Sequence, residues 1–499
     1  MPLHTNRSAP PRRRSARLQH RRRGGALGWV LLAVAAAAAT FALLWLLTDI
    51  FQKKQDARNM VLRTVELKET TTDPAVWGRD FPNQYDSYRR TVDVQRTRHG
   101  GSEAFQKLEE HPVWRDIWAG YAFATDFREE RGHAYMLTDQ RQTERVKQFK
   151  QPGACLHCHA SVLEAYRAEG IAQGAPGGPE EPLLSANGQA QLRRGWESLN
   201  PRPYAEVTAK VSHPVACVDC HDPGTMALRV TRPAALDAFA ALAAGEGPVA
   251  HLPSMERWRT GDRRAPYDPN ALASRQEMRS LVCAQCHVEY HFAGPEKRLT
   301  YPWGDGLGVE RILGTYDRSG FADWTHAITG APVLKAQHPE FEMWSQGVHA
   351  AMGVSCADCH MPYTRVGGMK VSSHHVRSPL LDVAASCQNC HPQSAEQLMA
   401  RVQRIQDTTQ ELLRRGETAV AALIADIAAA RSAGATDEAL KEARAFQRRA
   451  QFMLDFVSAE NSSGFHAPQE AARILAASVD LARQGQLALG RAGGARPPA

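Results

Sequence analysis

The sequence of 499 residues is poor in cysteine, in aromatic residues and, outside its N-terminal tail, in net charge. Cysteine occurs only 10 times, far below the density of a small disulfide-stapled domain. Aromatic residues make up only 7% of the chain, few for the core of a body this size. The first 25 residues contain eight arginines and no acidic residue, so the formal net charge of +7 falls to −1 for residues 26–499. A nearly neutral body excludes a general polyanion-binding surface, and we expect no nucleic-acid partner.

One long stretch of the N-terminal region contains no charge, between Arg23 and Asp49. It is rich in alanine and leucine and has a tryptophan near each end, and about 20 apolar residues span a bilayer as a helix. We therefore predict a cytoplasmic arginine-rich tail over 1–25 and a signal anchor, a transmembrane helix, over 26–48. The positive-inside rule then places the rest of the chain in the periplasm, anchored to the inner membrane. A removed signal peptide is the alternative, and it also exports the body.

The ten cysteines form five Cys-x-x-Cys pairs, and a histidine follows each pair directly. The motifs are Cys155-Leu-His-Cys158-His159, Cys217-Val-Asp-Cys220-His221, Cys283-Ala-Gln-Cys286-His287, Cys356-Ala-Asp-Cys359-His360 and Cys387-Gln-Asn-Cys390-His391. This pattern is the attachment signature of c-type haem, in which the thiols bond to the vinyl groups and the imidazole binds iron as proximal ligand. Zinc needs four ligands, and two pairs per metal would leave one pair and five histidines unexplained. The sequence therefore predicts five covalently bound haem c groups.

The spacing of the motifs and the number of other histidines bear on the architecture and on which haem could be catalytic. The motifs start 62, 66, 73 and 31 residues apart, so they form no repeat array of fixed period. A haem closed by two histidines transfers electrons, whereas a catalytic haem keeps one axial position open for substrate. Beyond the proximal ligands, twelve histidines outside the motifs lie in the exported body. Composition alone therefore does not choose which iron stays open.

Strand signals are sparse, and the predicted fold class is mainly α: a multihaem cytochrome c with a loop-rich haem core and long C-terminal helices. From Ser394 onward, apolar residues recur at near-helical spacing with charges between them. Gly434 interrupts this pattern, and two further helices are predicted after it. We divide the exported body into a pentahaem core, residues 50–393, and a C-terminal helical region, residues 394–499.

Six short runs add to the haem motifs between about residues 70 and 490. They are Arg131-Gly132-His133-Ala134-Tyr135, Thr143-Glu144-Arg145, Cys283 to Tyr290, Lys335-Ala336-Gln337-His338-Pro339, Gly353 to Pro362, and Gly464-Phe465-His466. In this order they resemble the pentahaem cytochrome c nitrite reductases, the ammonia-forming enzymes of the cytochrome c-552 family. The resemblance implies an oxidoreductase that reduces nitrite to ammonium with six electrons, at one open haem fed by four bis-histidine haems. It also implies a homodimer through the C-terminal helices and a membrane quinol-oxidising multihaem cytochrome as electron donor.

The resemblance places the open haem at the first motif, under a cover of Arg145, Tyr290 and His338. Arg145 would hold the nitrite anion by charge-assisted hydrogen bonds. His338 would deliver protons near neutral pH, and Tyr290 would donate a hydrogen bond to a partly reduced nitrogen oxide.

A calcium ion is implied beside this pocket. Its ligands would be side-chain oxygens of Glu289 and Gln337 and backbone carbonyls of Tyr290 and Lys335, which are hard donors that suit Ca²⁺. Such an ion would fix Tyr290 and His338, because both neighbour its ligands in the sequence. The alternative is a carboxylate that lies near a haem without binding metal.

The resemblance also assigns the distal ligands. They are His133 for the haem at Cys283/Cys286, His374 for Cys217/Cys220, His466 for Cys356/Cys359 and His349 for Cys387/Cys390. His375 adjoins His374, and spacing alone leaves that choice open. Four distal histidines for four haems leave the first haem open.

The first motif departs from the family pattern. Most members attach the catalytic haem through Cys-x-x-Cys-Lys, and a minority branch has histidine, as His159 here. The axial ligand is a main lever on the iron potential, so His159 bears on rate and substrate ranking more than on reaction class. Two alternatives stay open: a non-catalytic multihaem electron-transfer cytochrome with five closed irons, or a hydroxylamine- or sulfur-oxyanion-active enzyme. Relatives of the latter kind typically carry eight motifs, against five here.

Overall fold

The computed structural model describes residues 25–59, 63–101, 103, 105–129 and 131–493. The chain divides into two compact units, Met1–Arg63 and Thr64–Ala499. The predicted cytoplasmic tail lies outside the described residues except for Gly25. In the described part, 24 α-helices accompany eight short strands, so the mainly α prediction is confirmed.

Helix α1, Gly25–Asn59, is the described element of the first unit. Its segment Gly25–Lys54 is long and apolar enough to cross a membrane, with a mean hydropathy of 2.5 in its most apolar window and none of that window buried. The helix continues past the predicted end of the anchor at residue 48. Neither proline nor glycine follows to stop it, and Asp49 and Lys53 form an ion pair of 2.9 Å one turn apart.

The second unit is built mainly from short helices joined by loops. Those that precede residue 300 are α2 Pro74–Asp80, α3 Pro82–Arg89, α4 Lys107–Glu110, α5 Trp114–Ile117, α6 Met136–Gln142, α7 Glu144–Gln148, α8 Leu156–His159, α9 Leu163–Ala172, α10 Ala186–Leu199, α11 Tyr204–Thr208, α12 Cys217–Cys220, α13 Pro233–Ala244, α14 Pro253–Thr260, α15 Pro269–Leu272 and α16 Arg275–Leu281. Five of them begin with proline, whose fixed φ suits the first helical position. The next are α17 Val309–Ser319, α18 Glu340–Ser345, α19 Val348–Ala351, α20 Cys356–His360 and α21 Val383–Ser386.

The strands of the described part form four antiparallel two-stranded sheets, each between neighbours in the sequence. They are β1 Arg96–Thr97 with β2 Gly100–Gly101, β3 His291–Ala293 with β4 Arg298–Thr300, β5 Trp324–Thr325 with β6 Pro332–Val333, and β7 Tyr363–Val366 with β8 Met369–Ser372. Single turns of 3₁₀-helix occur at Arg90–Val92, Ala122–Ala124, Gly153–Cys155 and Pro379–Leu381.

Three long helices close the chain: α22 Ala395–Ser432, α23 Asp437–Ser458 and α24 Pro468–Gly493. The first begins at a capping box in which Ser394 and Gln397 cap each other's backbone, and the turn after it uses Gly434 at φ 89°. Their apolar faces share one core, and Gly416 lets the helices approach, because a Cβ there would lie 2.6 Å from Leu454. The helices predicted from periodicity are therefore present.

The haem-attachment motifs lie on or directly after short helices in the loop-rich part. A single turn brings two cysteines three residues apart to one face of the backbone. In α12, the Asp219 carboxylate accepts the backbone N–H of Ala216 at 2.7 Å, and in α20 Asp358 does the same for Ser355 at 2.8 Å. The aspartate before the second cysteine thus caps its own motif helix.

Candidate haem and active site

The structure brings eight of the predicted iron ligands together as four facing pairs of imidazoles. The ring centres are 6.2 Å apart for His133/His287, 6.2 Å for His221/His374, 6.3 Å for His360/His466 and 6.3 Å for His349/His391. Two bonds of about 2 Å to one metal, plus about 1 Å from each nitrogen to its ring centre, separate two axial rings by about 6 Å. The four separations therefore fit a haem iron between each pair, and His159 belongs to none of the four.

His374, rather than His375, faces the proximal ring of the second motif. His374 Nδ1 lies 3.0 Å from the carbonyl oxygen of Ser372, which orients the ring, and its backbone N–H donates to Ser87 Oγ at 2.9 Å. The neighbouring His375 donates its backbone N–H to Ser373 Oγ. Both rings have a pKa below the usual value because of burial, and for His374 it falls to about 4, so this ring is neutral and able to bind metal.

A continuous cavity of about 740 Å³ connects the motifs. Its lining includes seven of the eight paired histidines and the cysteines Cys158, Cys217, Cys220, Cys283, Cys286, Cys356, Cys359 and Cys387. Thiols of different motifs are neighbours: Cys158 of the first motif lies beside Cys286 of the third, and Cys283 of the third lies beside Cys356 of the fourth. Groups held at these positions would form a chain from the first motif through the third to the fourth.

A buried arginine fixes the first three motifs relative to one another. Arg232 is 1% exposed and donates to the backbone carbonyls of His157 at 2.7 Å and Ala160 at 2.8 Å, on either side of the first motif histidine. Its guanidinium also pairs with Asp219 of the second motif at 2.9 Å, and its backbone N–H donates to Gln285 of the third at 3.0 Å. Opposite charge compensates the burial of both ions.

The predicted anion holder Arg145 lies close to the first motif. Its positive charge opposes the burial that raises the pKa of the Cys155 thiol and of the Tyr290 phenol. The guanidinium carbon lies 4.2 Å from the ring centre of Phe123, which is stacked at 5.5 Å on Tyr121. We call Tyr121, Phe123 and Trp324 the aromatic platform, since Tyr121 also stacks on Trp324 at 4.5 Å. Cation–π attraction to this platform limits where the guanidinium points.

Sequence reasoning missed the aromatic platform. Tyr121 also lies near Cys155 and Arg145, and burial raises the pKa of its phenol well above the usual value. The only sequence signal was a high density of aromatic residues between 114 and 127. Such a cluster ordinarily indicates packing, and here it also packs, because Trp118 and Phe127 of the same segment meet edge to face at 5.1 Å.

The predicted calcium ligands partly converge on a buried carboxylate. Glu289 is fully buried; its Oε1 accepts the hydroxyl of Tyr316 at 2.7 Å and its Oε2 accepts the backbone N–H of Gln337 at 2.6 Å. The side chain of Gln337 donates to the carbonyl oxygen of Lys335 at 3.2 Å. Burial raises the pKa of Glu289 well above its usual range, a penalty that a bound cation would remove.

Other features of this region bear on the calcium prediction. No group of three or more His, Cys, Asp or Glu suited to a metal occurs in the described part of the chain, and the predicted set has a single carboxylate. The Lys335 ammonium is directed away, to Asp455 at 3.0 Å in a fully buried pair, so its carbonyl alone is offered. Glu289 precedes Tyr290, and Gln337 precedes the partly buried His338. The Glu289–Gln337 contact therefore ties together the two segments that carry predicted catalytic side chains.

Comparison with known proteins identifies the family of the chain. The family model for cytochrome c552 matches residues 73–496. A cytochrome c-552 of Parabacteroides distasonis is 37% identical over 418 residues, 82% of this chain and 74% of that protein, and one of Bacteroides fragilis is 34% identical over 472 residues, 93% and 86%. The solved cytochrome c nitrite reductase of Desulfovibrio desulfuricans, described as having two calcium sites in its catalytic subunit, is 29% identical with a TM-score of 0.69, covering 86% of this chain and 88% of that one. The expected resemblance is confirmed, and the chain belongs to the cytochrome c552 family.

Proposed function

We propose that this protein reduces nitrite to ammonium, NO₂⁻ + 6e⁻ + 8H⁺ → NH₄⁺ + 2H₂O, at the haem of the first motif. The observation that carries the proposal is the contrast between four facing histidine pairs and one motif beside Arg145 and Tyr290. Membership of a family with a structurally similar nitrite reductase supports it.

Five covalent haems fit the donor set of the chain. The thioether bonds would come from the ten motif cysteines, the proximal bonds from His159, His221, His287, His360 and His391, and the distal bonds from His133, His374, His466 and His349. When bound, the haems supply electron transfer through the closed irons and one coordination position for the nitrogen of nitrite. Each imidazole pair would ligate one iron from both sides, so these four haems would transfer electrons rather than bind substrate.

Arg145 binds and orients the anion. A guanidinium keeps its charge at any working pH and offers several N–H donors in one plane, which matches the two oxygens of nitrite. The guanidinium plane packs on the aromatic platform, since the ring centre of Phe123 lies 4.2 Å from the guanidinium carbon. Substrate is thereby retained with its oxygens directed at Arg145 and His338.

Tyr290 and His338 supply hydrogen bonds and protons. Burial keeps the Tyr290 phenol protonated, so it donates rather than accepts at neutral pH. His338 is only partly buried, which gives its imidazole a route to exchange protons with solvent during a reaction that consumes eight. A calcium ion bound by Glu289, Gln337 and the carbonyls of Tyr290 and Lys335 would hold both side chains in place.

The N-terminal helix completes the proposal for the cellular context. Helix α1 is long and apolar enough to anchor the chain in the inner membrane with its body in the periplasm. An anchored enzyme lies beside a membrane quinol-oxidising multihaem cytochrome, which we propose as the electron donor. We further propose that the exposed faces of the C-terminal helices form a homodimer interface.

The activity is tested with the full-length holoprotein, reduced viologen and nitrite, with ammonium as the measured product. Arg145→Ala should lose kcat/KM for nitrite by about 100-fold, because two charge-assisted hydrogen bonds of about 1.5 kcal/mol each disappear. Arg263→Ala is the matched control: this exposed guanidinium lies 4.8 Å from the Trp258 ring, outside the site. Absence of ammonium with the wild type, or full activity of Arg145→Ala at normal haem content, would refute the proposal.

A further inference from the structure

The predicted iron ligand His466 has a buried carboxylate beside Nδ1, the ring nitrogen that would not bind iron. Glu460 lies in the turn between α23 and α24, and its side chain is fully buried. Its Oε1 lies 2.6 Å from Nδ1 of His466, the ring that faces His360. A polar group beside the ring nitrogen that does not bind the metal orients a metal-bound histidine and changes how strongly the other nitrogen donates to the metal.

Other paired histidines have neutral partners at the same nitrogen. His221 Nδ1 lies 3.0 Å from the carbonyl oxygen of Met226, His360 Nδ1 lies 3.1 Å from that of Arg377, and His374 Nδ1 lies 3.0 Å from that of Ser372. Near His287 a carboxylate oxygen of Glu340 comes only to 4.0 Å, beyond hydrogen-bonding distance. The Glu460–His466 contact is thus shorter than all four of these contacts, and it involves a carboxylate where His221, His360 and His374 have a neutral carbonyl oxygen.

The turn that carries Glu460 also holds its carboxylate in place by hydrogen bonds. Ser462 donates its backbone N–H at 3.0 Å and its hydroxyl at 2.8 Å to the two carboxylate oxygens. The same hydroxyl accepts the backbone N–H of His466 at 2.9 Å, so the turn that carries the ligand also positions the carboxylate.

We propose that Glu460 is a positioning residue that gives His466 the character of an imidazolate and thereby lowers the reduction potential of the haem at Cys356/Cys359. Two effects act in the same direction. A more strongly donating imidazole stabilises ferric iron over ferrous iron, and so does a fixed negative charge in a medium of low dielectric.

The haem at Cys356/Cys359 would lie between those of the third and fifth motifs, so its reduction potential would affect electron transfer between them. Cys356 adjoins Cys283 of the third motif, and Cys359 lies near Cys387 of the fifth. A lowered potential at the fourth motif therefore disfavours electron transfer from the third haem back towards the fifth. Electrons that reach the third haem are retained on the side of the proposed nitrite site.

The test compares Glu460→Gln with the wild type by spectroelectrochemical titration and electron paramagnetic resonance (EPR) of the full-length holoprotein. The expected result is a rise in the midpoint potential of one low-spin haem and a change in its g-values, with the other haems unmoved. Glu417→Gln is the matched control, because this buried carboxylate contacts His111 Nδ1 at 3.1 Å and His111 is no predicted iron ligand. The control should shift no haem.

Further outcomes separate this inference from the ligand assignment on which it rests. If the wild type shows fewer than four bis-histidine signals, both are wrong. If four appear and Glu460→Gln moves none of them, or Glu417→Gln moves the same haem equally, the role of Glu460 alone is refuted. Should Glu460→Gln fail to fold, Glu460→Asp retracts the carboxylate by one methylene and should shift the same haem less; an unmoved potential there also refutes the role.

Discussion

Around the first motif the structure gathers a guanidinium, a phenol and an aromatic platform, whereas each of the other four proximal histidines faces a second imidazole at 6.2–6.3 Å. All five motifs share the same Cys-x-x-Cys-His pattern. The difference therefore lies in what surrounds each motif histidine, not in the motif itself. In our proposal, these surroundings decide between conduction and catalysis.

The largest expected effect comes from turning a closed haem into an open one. His374→Ala removes the ring that faces His221, so the iron of the second motif should lose its sixth ligand and become high-spin. EPR of the purified holoprotein should show a second high-spin haem. His375→Ala is the control and should leave the spectrum unchanged; a new high-spin signal in His375→Ala alone would reverse the assignment.

Removal of the buried carboxylate near the first motif should have the next largest effect. Glu289→Gln removes the only charged ligand of the proposed calcium, and we expect stability to fall by about 1–3 kcal/mol with a loss of nitrite reduction. Thermal unfolding with and without a calcium chelator measures this. Glu417→Gln is the control, because this buried carboxylate contacts His111 Nδ1 at 3.1 Å and is no predicted calcium ligand. A chelator effect that survives in Glu289→Gln would place the calcium elsewhere.

A smaller effect is expected from the phenol. Tyr290→Phe removes one hydrogen bond to the reacting nitrogen oxide, worth about 1–1.5 kcal/mol, so kcat should fall by about tenfold with KM little changed. Steady-state nitrite reduction gives both constants. Tyr267→Phe provides the comparison, because Tyr267 is also buried and its hydroxyl hydrogen-bonds Ser254. Equal kcat for Tyr290→Phe and the wild type would remove Tyr290 from the chemistry.

The smallest effect should follow from the aromatic platform. Phe123→Leu keeps an apolar contact but removes the ring face under Arg145, and a cation–π term of about 0.5–1 kcal/mol predicts a rise of about threefold in KM for nitrite. Trp258→Leu, whose ring lies 4.8 Å from the Arg263 guanidinium and does not line the cavity between the motifs, is the matched control. A lower kcat at unchanged KM would assign the platform a different role.

The sequence predicted those parts that depend on local pattern. Cys-x-x-Cys-His is a chemical unit within five residues, and helical periodicity continues without tertiary information, so the motifs and α22–α24 could be recognised directly. The distal ligands could not be recognised in this way, because His466 lies more than a hundred residues from His360 and only the resemblance connected them.

Other contacts could not be predicted from the sequence. A turn brings Glu460 against His466, and Phe123 contacts Arg145 only in the folded chain. A carboxylate or a phenylalanine in a sequence predicts neither contact, since both depend on tertiary packing. Charge at Asp49 limits the apolar segment but does not stop a helix, so the sequence predicts the anchor without predicting where α1 ends.

The central claim is that one iron is open beside Arg145 while four are closed by paired histidines. EPR of the oxidised full-length holoprotein, recorded before and after addition of nitrite, tests this claim most directly. The account predicts four low-spin bis-histidine haems that do not respond and one high-spin haem whose signal changes when nitrite binds. Five low-spin haems, all indifferent to nitrite, would contradict it.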